Sequence, residues 1–169
     1  MIVLSEDYTF NDVPYAIQQQ LENWRLAGTD VQAHQGVEVE LQFSLAIIYD
    51  PSTSQAVTQA AINTALSNYL AQLGFDSRLY PSSILQIVEG VPGVTACRFL
   101  TAADYPTWGI SVPNNYNVGI QAVSGGLVVQ SYVDSQGNPM DIEFGANQIP
   151  SFGNTVLVTK AGNTMGSYA

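Results

Sequence analysis

Positive charge is nearly absent from this chain. Its 169 residues include four cations, Arg25, Arg78, Arg98 and Lys160, against 14 Asp and Glu, for a formal net charge of -10. Four cations cannot build the basic stripe that a phosphate backbone requires, so nucleic acid is excluded as a partner. The same shortage excludes a polybasic membrane-surface binder. Charge of either sign is scarce, at 11% of residues, where an average domain has about 25%. Yet the chain is 46% hydrophobic, too apolar for a disordered acidic tail. The surface left over is Gln, Asn, Ser, Thr, Tyr and Gly. Covering such a surface with another protein strips water from few charges.

Catalytic and metal-binding side chains are equally few. The single cysteine, Cys97, excludes an intramolecular disulfide framework and any multi-cysteine metal site. Lying between Ala96 and Arg98, it reads as a small buried hydrophobe. The single histidine, His34, would have to serve any Ser-His-Asp or Cys-His arrangement, and its loop, Gln32 to Gly36, has no acidic residue. It reads as a solvated or strand-edge imidazole. No enzyme, no metal and no cofactor is expected. Asp134 to Asn138 lacks the alternating ligands of a calcium loop and reads as a hairpin turn. Gly125-Gly126 precedes a strand rather than a helix, so it is no phosphate loop. Glu38 and Glu40 share one strand face, read as solvent-facing. No window reaches the roughly 18 apolar residues of a membrane span. Residues Met1 to Asp7 turn acidic at once, which predicts no cleaved secretory signal and folding in a cytosol.

What is present is clear periodicity. Val13, Ile17, Leu21 and Trp24 make one apolar face of a helix over Val13–Ala27. Val37, Val39, Leu41, Phe43, Leu45 and Ile47 alternate with Glu38, Glu40, Gln42 and Ser44, a strand over Val37–Tyr49 whose far end is buried on both faces. Ile62, Leu66, Tyr69, Leu70 and Leu73, with Val57, Ala61 and Ala65 beside them, stripe a helix over Thr53–Leu73. Its other face, Gln55, Gln59, Asn63, Ser67 and Gln72, has no charge, where a solvated face normally carries Lys and Glu pairs. Gln55, Gln59 and Asn63 are therefore candidate subunit contacts. A short helix near Ser82–Glu89, a Val91-Pro92-Gly93 turn and a strand over Val94–Thr101 follow.

From Ala102 to Asn117, two prolines and isolated aromatics predict a linker or arm. Tyr105, Trp108 and Tyr116 can anchor in a neighbouring subunit, pack in the core or stack on a sugar; the interface reading is preferred. Short strands then follow near 118–123, 127–134, 140–144 and 155–160. The expected fold is α+β: a β-α-α-β two-layer sandwich followed by a small β-rich region, with an extended arm between them. The division is 1–36, an N-terminal helix and connector; 37–101, an α/β docking domain; 102–117, the arm; and 118–169, the β-rich region with a C-terminal tail. Charge is lowest on the long helix and over 102–133, where Asp104 is the sole charge. Both are expected to be covered in an assembly.

The strand at Val37, Asp50-Pro51, the long helix with Tyr69-Leu70, then Leu79-Tyr80-Pro81-Ser82-Ser83-Ile84 and Val91-Pro92-Gly93-Val94 follow in an order that resembles the carboxy-terminal region of baseplate J-like proteins of phage tails. Leu26 to Val31 looks like that family's Gly-Thr entry to the first strand. Ile149-Pro150 before Val156-Leu157-Val158 looks like the element before its last strand, with Gln148 replacing an acidic residue. The resemblance marks Ser82, Val91, Pro92, Gly93 and Val94 as motif residues. Family members are about twice as long, and 102–145 has no counterpart in them. This looks like a reduced or split relative in a siphophage-like tail tip. The resemblance implies a structural virion component, assembled in the host cytoplasm, that links the tail hub to fibres or receptor-binding proteins. Its partners would be other tail proteins and further copies of itself. A tail-terminator-like ring subunit and a carbohydrate-binding module are the competing expectations.

Overall fold

The computed structural model describes residues 2–4, 13–24, 33–101, 104 and 118–158. Its elements run β1 (Ile2–Leu4), α1 (Val13–Trp24), β2 (Ala33–Gln35), β3 (Val37–Tyr49), α2 (Gln55–Leu70), β4 (Arg78–Leu79), α3 (Pro81–Glu89), β5 (Val94–Phe99), β6 (Ile120–Ser124), β7 (Leu127–Ser131), β8 (Ile142–Glu143) and β9 (Gln148–Val158). Helices and largely antiparallel strands make a mixed α+β fold with a small β-rich region, as the periodicity predicts.

The strand β3 is the axis of the main sheet. Along one edge it pairs with β9 in parallel, from Val37 opposite Gln148 to Ala46 opposite Val158. Its antiparallel partners are β6, opposite Glu40–Phe43, and β5, opposite Leu45–Tyr49. The strand β7 extends the sheet from β6 through a two-residue turn at Gly125-Gly126. Both glycines have positive φ, 57° and 78°, the conformation that a tight hairpin needs.

Alternation on β3 sorts the layers. Leu41, Phe43, Leu45 and Ile47 are fully buried. They join a core with Ile62, Leu66 and Leu70 of α2 and Ile84 and Val88 of α3. The buried α2 positions Thr58, Ile62, Leu66 and Leu70 repeat every four residues, the single stripe that an amphipathic helix presents to a sheet. On the opposite sheet face, Ala46 is buried with Leu100 and Val118, and Val133 and Val156 pack beside them. The far end of β3 is thus covered on both faces, as the fading alternation predicts.

Three readings need correction. Val57, assigned to the α2 stripe, is 68% exposed, and Trp24, assigned to the α1 face, is 82% exposed; Trp24 is the last residue of its helix. The last strand begins at Gln148, not Thr155. Ile149-Pro150, expected to precede that strand, lies within it: Pro150 sits opposite Val39 and Gly153 is the extra residue where the register shifts at Leu41/Gln42. That shift is a β-bulge, which accommodates the glycine. Two short pairings were also not anticipated: β1 lies parallel to β2, with α1 between them in the chain, and β4 pairs with β8. The β4–β8 pair holds Leu79 and Ile142 in the main core.

Candidate interface

The Val91-Pro92-Gly93-Val94 motif is a turn that seats β5 against the start of α2. Val94 N–H donates to the Val91 carbonyl at 3.1 Å. Pro92 precedes Gly93, whose φ is 92°, the arrangement of a type II turn. Asp50 N–H donates to the Gly93 carbonyl at 3.0 Å, tying the turn to the end of β3. A Cβ on Gly93 would lie 2.8 Å from the hydroxyls of both Thr53 and Thr58. Gly93 is therefore required twice, for its backbone and for its missing side chain. Val91 is buried and Val94 half-buried, while Pro92 is exposed.

The same corner begins α2. The Asp50 carboxylate accepts from Ser52 N–H at 2.9 Å and from the Ser52 hydroxyl at 2.7 Å. The backbone bond and then the hydroxyl bond hold its pKa below the ordinary 3.8. The Ser54 side chain makes no capping bond; local structure at Asp50 orders the entry instead. Ser82 is the exposed second residue of α3, after Pro81 at the first helical position and Tyr80 as the cap. Proline there supplies a helical φ and gives up an N–H with no intrahelical partner.

Of the α2 candidates, Gln55 is exposed and Gln59 is half-buried. Asn63 is half-buried too, and its carboxamide oxygen accepts from the Thr155 hydroxyl of β9. It ties the helix to the sheet. The exposed side of α2 includes Val57, Ala60, Thr64, Ser67 and Asn68, without a charge.

Strands β5 and β6 lie end to end. Leu100 N–H donates to the Ser44 carbonyl, Ser44 N–H donates to the Gly119 carbonyl, and Gly119 N–H donates to the Leu100 carbonyl, each at 2.9 Å. The chain therefore leaves the sheet after Leu100 and returns at the same rung. In effect, residues 101–118 interrupt one long antiparallel partner of β3. At the exit, the Arg98 guanidinium grips both Asp104 carboxylate oxygens, at 2.8 and 2.7 Å. Thr101 adds its N–H at 2.7 Å and its hydroxyl at 2.9 Å. Burial alone would raise the Asp104 pKa. The bonds from Arg98 and Thr101 and the Arg98 charge outweigh it and hold the pKa below 3.8. No sequence signal singles out this pair beyond the rarity of charge. Tyr105, Trp108 and Tyr116 lie outside the described residues.

The chemical inventory stays small. His34 lies in β2, with its backbone opposite Val3. Cys97 is half-buried, and burial, followed by the nearby Glu89 carboxylate, pushes its thiol up to about 12. No group of metal-ligating side chains forms among the described residues, and no described helix is long and apolar enough to cross a membrane.

No curated protein matches the chain. A family model does match: that of the Baseplate J-like protein C-terminal domain, over residues 41–118. The matched stretch runs from the buried half of β3 through α2 and α3, the Val91–Val94 turn and β5 to the return of the chain at Val118. The family is a structural, non-enzymatic one. Over these residues the chain is similar to the Baseplate J-like protein C-terminal domain, which points to a structural role in a phage tail or baseplate.

Proposed function

We propose that this chain is an assembly component of the distal tail, a reduced relative that joins the tail hub to peripheral fibres or receptor-binding proteins. The family match over 41–118 carries this reading. The uncharged outer side of α2 supports it, because covering that side costs little desolvation of charge.

In this reading the β3-centred unit docks, and the excursion between Leu100 and Gly119 reaches a neighbour with Tyr105, Trp108 and Tyr116. Aromatic side chains are favoured anchors at such contacts. Self-association through this arm follows. Because its two ends meet at one hydrogen bond, replacing residues 105–117 with a short Gly/Ser linker leaves the sheet closed. Residues 118–158 contribute β6, β7 and β9 to the same sheet, so this internal replacement tests the arm more cleanly than truncation at 102.

The test is genetic and then visual. Removing the gene from the phage or prophage that encodes the chain should yield particles with defective tail tips by negative-stain microscopy. Restoring the chain with the arm replaced should restore the fold but not the tips. Normal, infectious particles without the chain would refute the assembly role.

A further inference from the structure

Two charge-free surfaces of this chain have opposite shapes. One is the hairpin of β6 and β7. Residues 118–133 hold no charge, and just past the Gly125-Gly126 turn Leu127 and Val129 are each 64% exposed. The other is a groove of about 600 Å³ between α2 and α3. Ala60, Thr64 and Ala65 line it from α2, Ile87 from α3, and Val91 and Pro92 from the turn that follows. None of its lining residues is charged. The charge on α3, Glu89, is turned to β5, where it accepts from Cys97 N–H at 3.5 Å.

The hairpin of one copy does not reach its own groove. Strand β6 runs beside Glu40–Phe43 of β3. The Val91-Pro92 end of the groove lies past the other end of β3, where Asp50 N–H meets the Gly93 carbonyl. Glu40 and Asp50 stand roughly 30 Å apart along the strand. Nor do the outer strands of the main sheet invite another strand. A register shift interrupts the β6–β7 pairing at Ala122/Val123, and β9 carries Pro150 and the bulge at Gly153. Bulges and prolines are devices that guard a sheet edge. What the hairpin offers a partner is therefore its exposed side chains.

We propose that the β6–β7 hairpin of one copy seats Leu127 and Val129 in the α2–α3 groove of a second copy. The charge pattern favours this occupant. Two chains of net charge -10 repel each other, and a contact between hairpin and groove sets no like charges face to face. Each copy carries both halves. Because the halves are different surfaces, the contact runs head to tail, and one copy can hold two others. Burying the two aliphatic side chains drives it. The contact names a partner for the outer side of α2 and rests on the assembly reading for its role.

The test is sedimentation velocity of the full chain over rising concentration. The native chain should form a concentration-dependent series of oligomers. The variants L127E/V129E and A60E/T64E change exposed positions only, and each should weaken association about ten-fold or more. Mixed in equal amounts, the two variants should pair and grow no further, because one keeps an intact groove and the other an intact hairpin. Replacing residues 105–117 with a Gly/Ser linker should leave the association unchanged. A native chain that is monomeric at about 1 mM would overturn the proposal. So would a variant that still assembles, a mixture that stays monomeric, or association that vanishes with the arm. The assembly role is judged on particles and this contact on the purified chain, so either can fail without the other.

Discussion

Arg98 holds Asp104 in a two-pronged grip, 2.8 and 2.7 Å long, at the point where the chain leaves its sheet. The carboxylate is largely buried and the guanidinium about half exposed. The pair is thus partly screened, but Thr101 adds two further bonds to the same carboxylate oxygen. Asp104→Asn should lower stability by about 1–3 kcal/mol in urea unfolding. The pH dependence has a definite sign. The folded Asp104 pKa lies below 3.8, so its contribution is full above that value and is lost as pH falls through the folded one. The stability gap between native chain and variant should be constant near neutrality and should narrow below about pH 4. A gap that widens on acidification would contradict the assignment.

Gly93→Ala should be more damaging. A side chain there is strained by the positive φ and meets both Thr53 and Thr58 at 2.8 Å. We expect a loss of about 2–4 kcal/mol. Adding Thr58→Ala should recover only part of it, because the backbone strain remains. Full recovery in the double variant would show that the clash alone matters.

Gly153→Ala offers the contrasting case. An added Cβ would sit 2.7 Å from the Glu40 side chain, but Gly153 has no positive φ. Glu40 is exposed and flexible at its tip, so the expected cost is about 0.5–1.5 kcal/mol. Glu40→Ala should remove nearly all of it. A double-mutant cycle reads the coupling directly, and zero coupling would refute the contact.

Cys97 should resist modification. With its thiol pushed up to about 12, the thiolate fraction at pH 8 is on the order of 10⁻⁴. Labelling of the folded chain by a thiol reagent should be about three orders of magnitude slower than in denaturant. Equal rates would place the thiol in solvent.

Much of this architecture was legible in the residues. The alternation of β3 and the four-residue spacing of Ile62, Leu66 and Leu70 announced a strand and the helix that covers it. The Pro92-Gly93 pair announced its turn. The start of β9 stayed hidden because Gln148 to Asn154 shows no clean alternation of its own, and its pairing with β3, bulge included, depends on residues about a hundred positions away. The end-to-end placement of β5 and β6 could not be read either, because it depends on Leu100 meeting Gly119, far apart in sequence. Asn63 looked like a surface contact from helical spacing alone, yet it bonds to Thr155 on a strand 92 residues away.

The central claim is that this chain is built into a phage tail through its β3-centred unit. Cryo-electron microscopy of purified particles from the phage or prophage that encodes it tests this most directly. The account predicts density at the distal tail end that fits β3, β5, β6, β9, α2 and α3, with the outer side of α2 against another protein. Complete tails whose density leaves no place for this unit, or a unit present with the α2 side facing solvent, would contradict it.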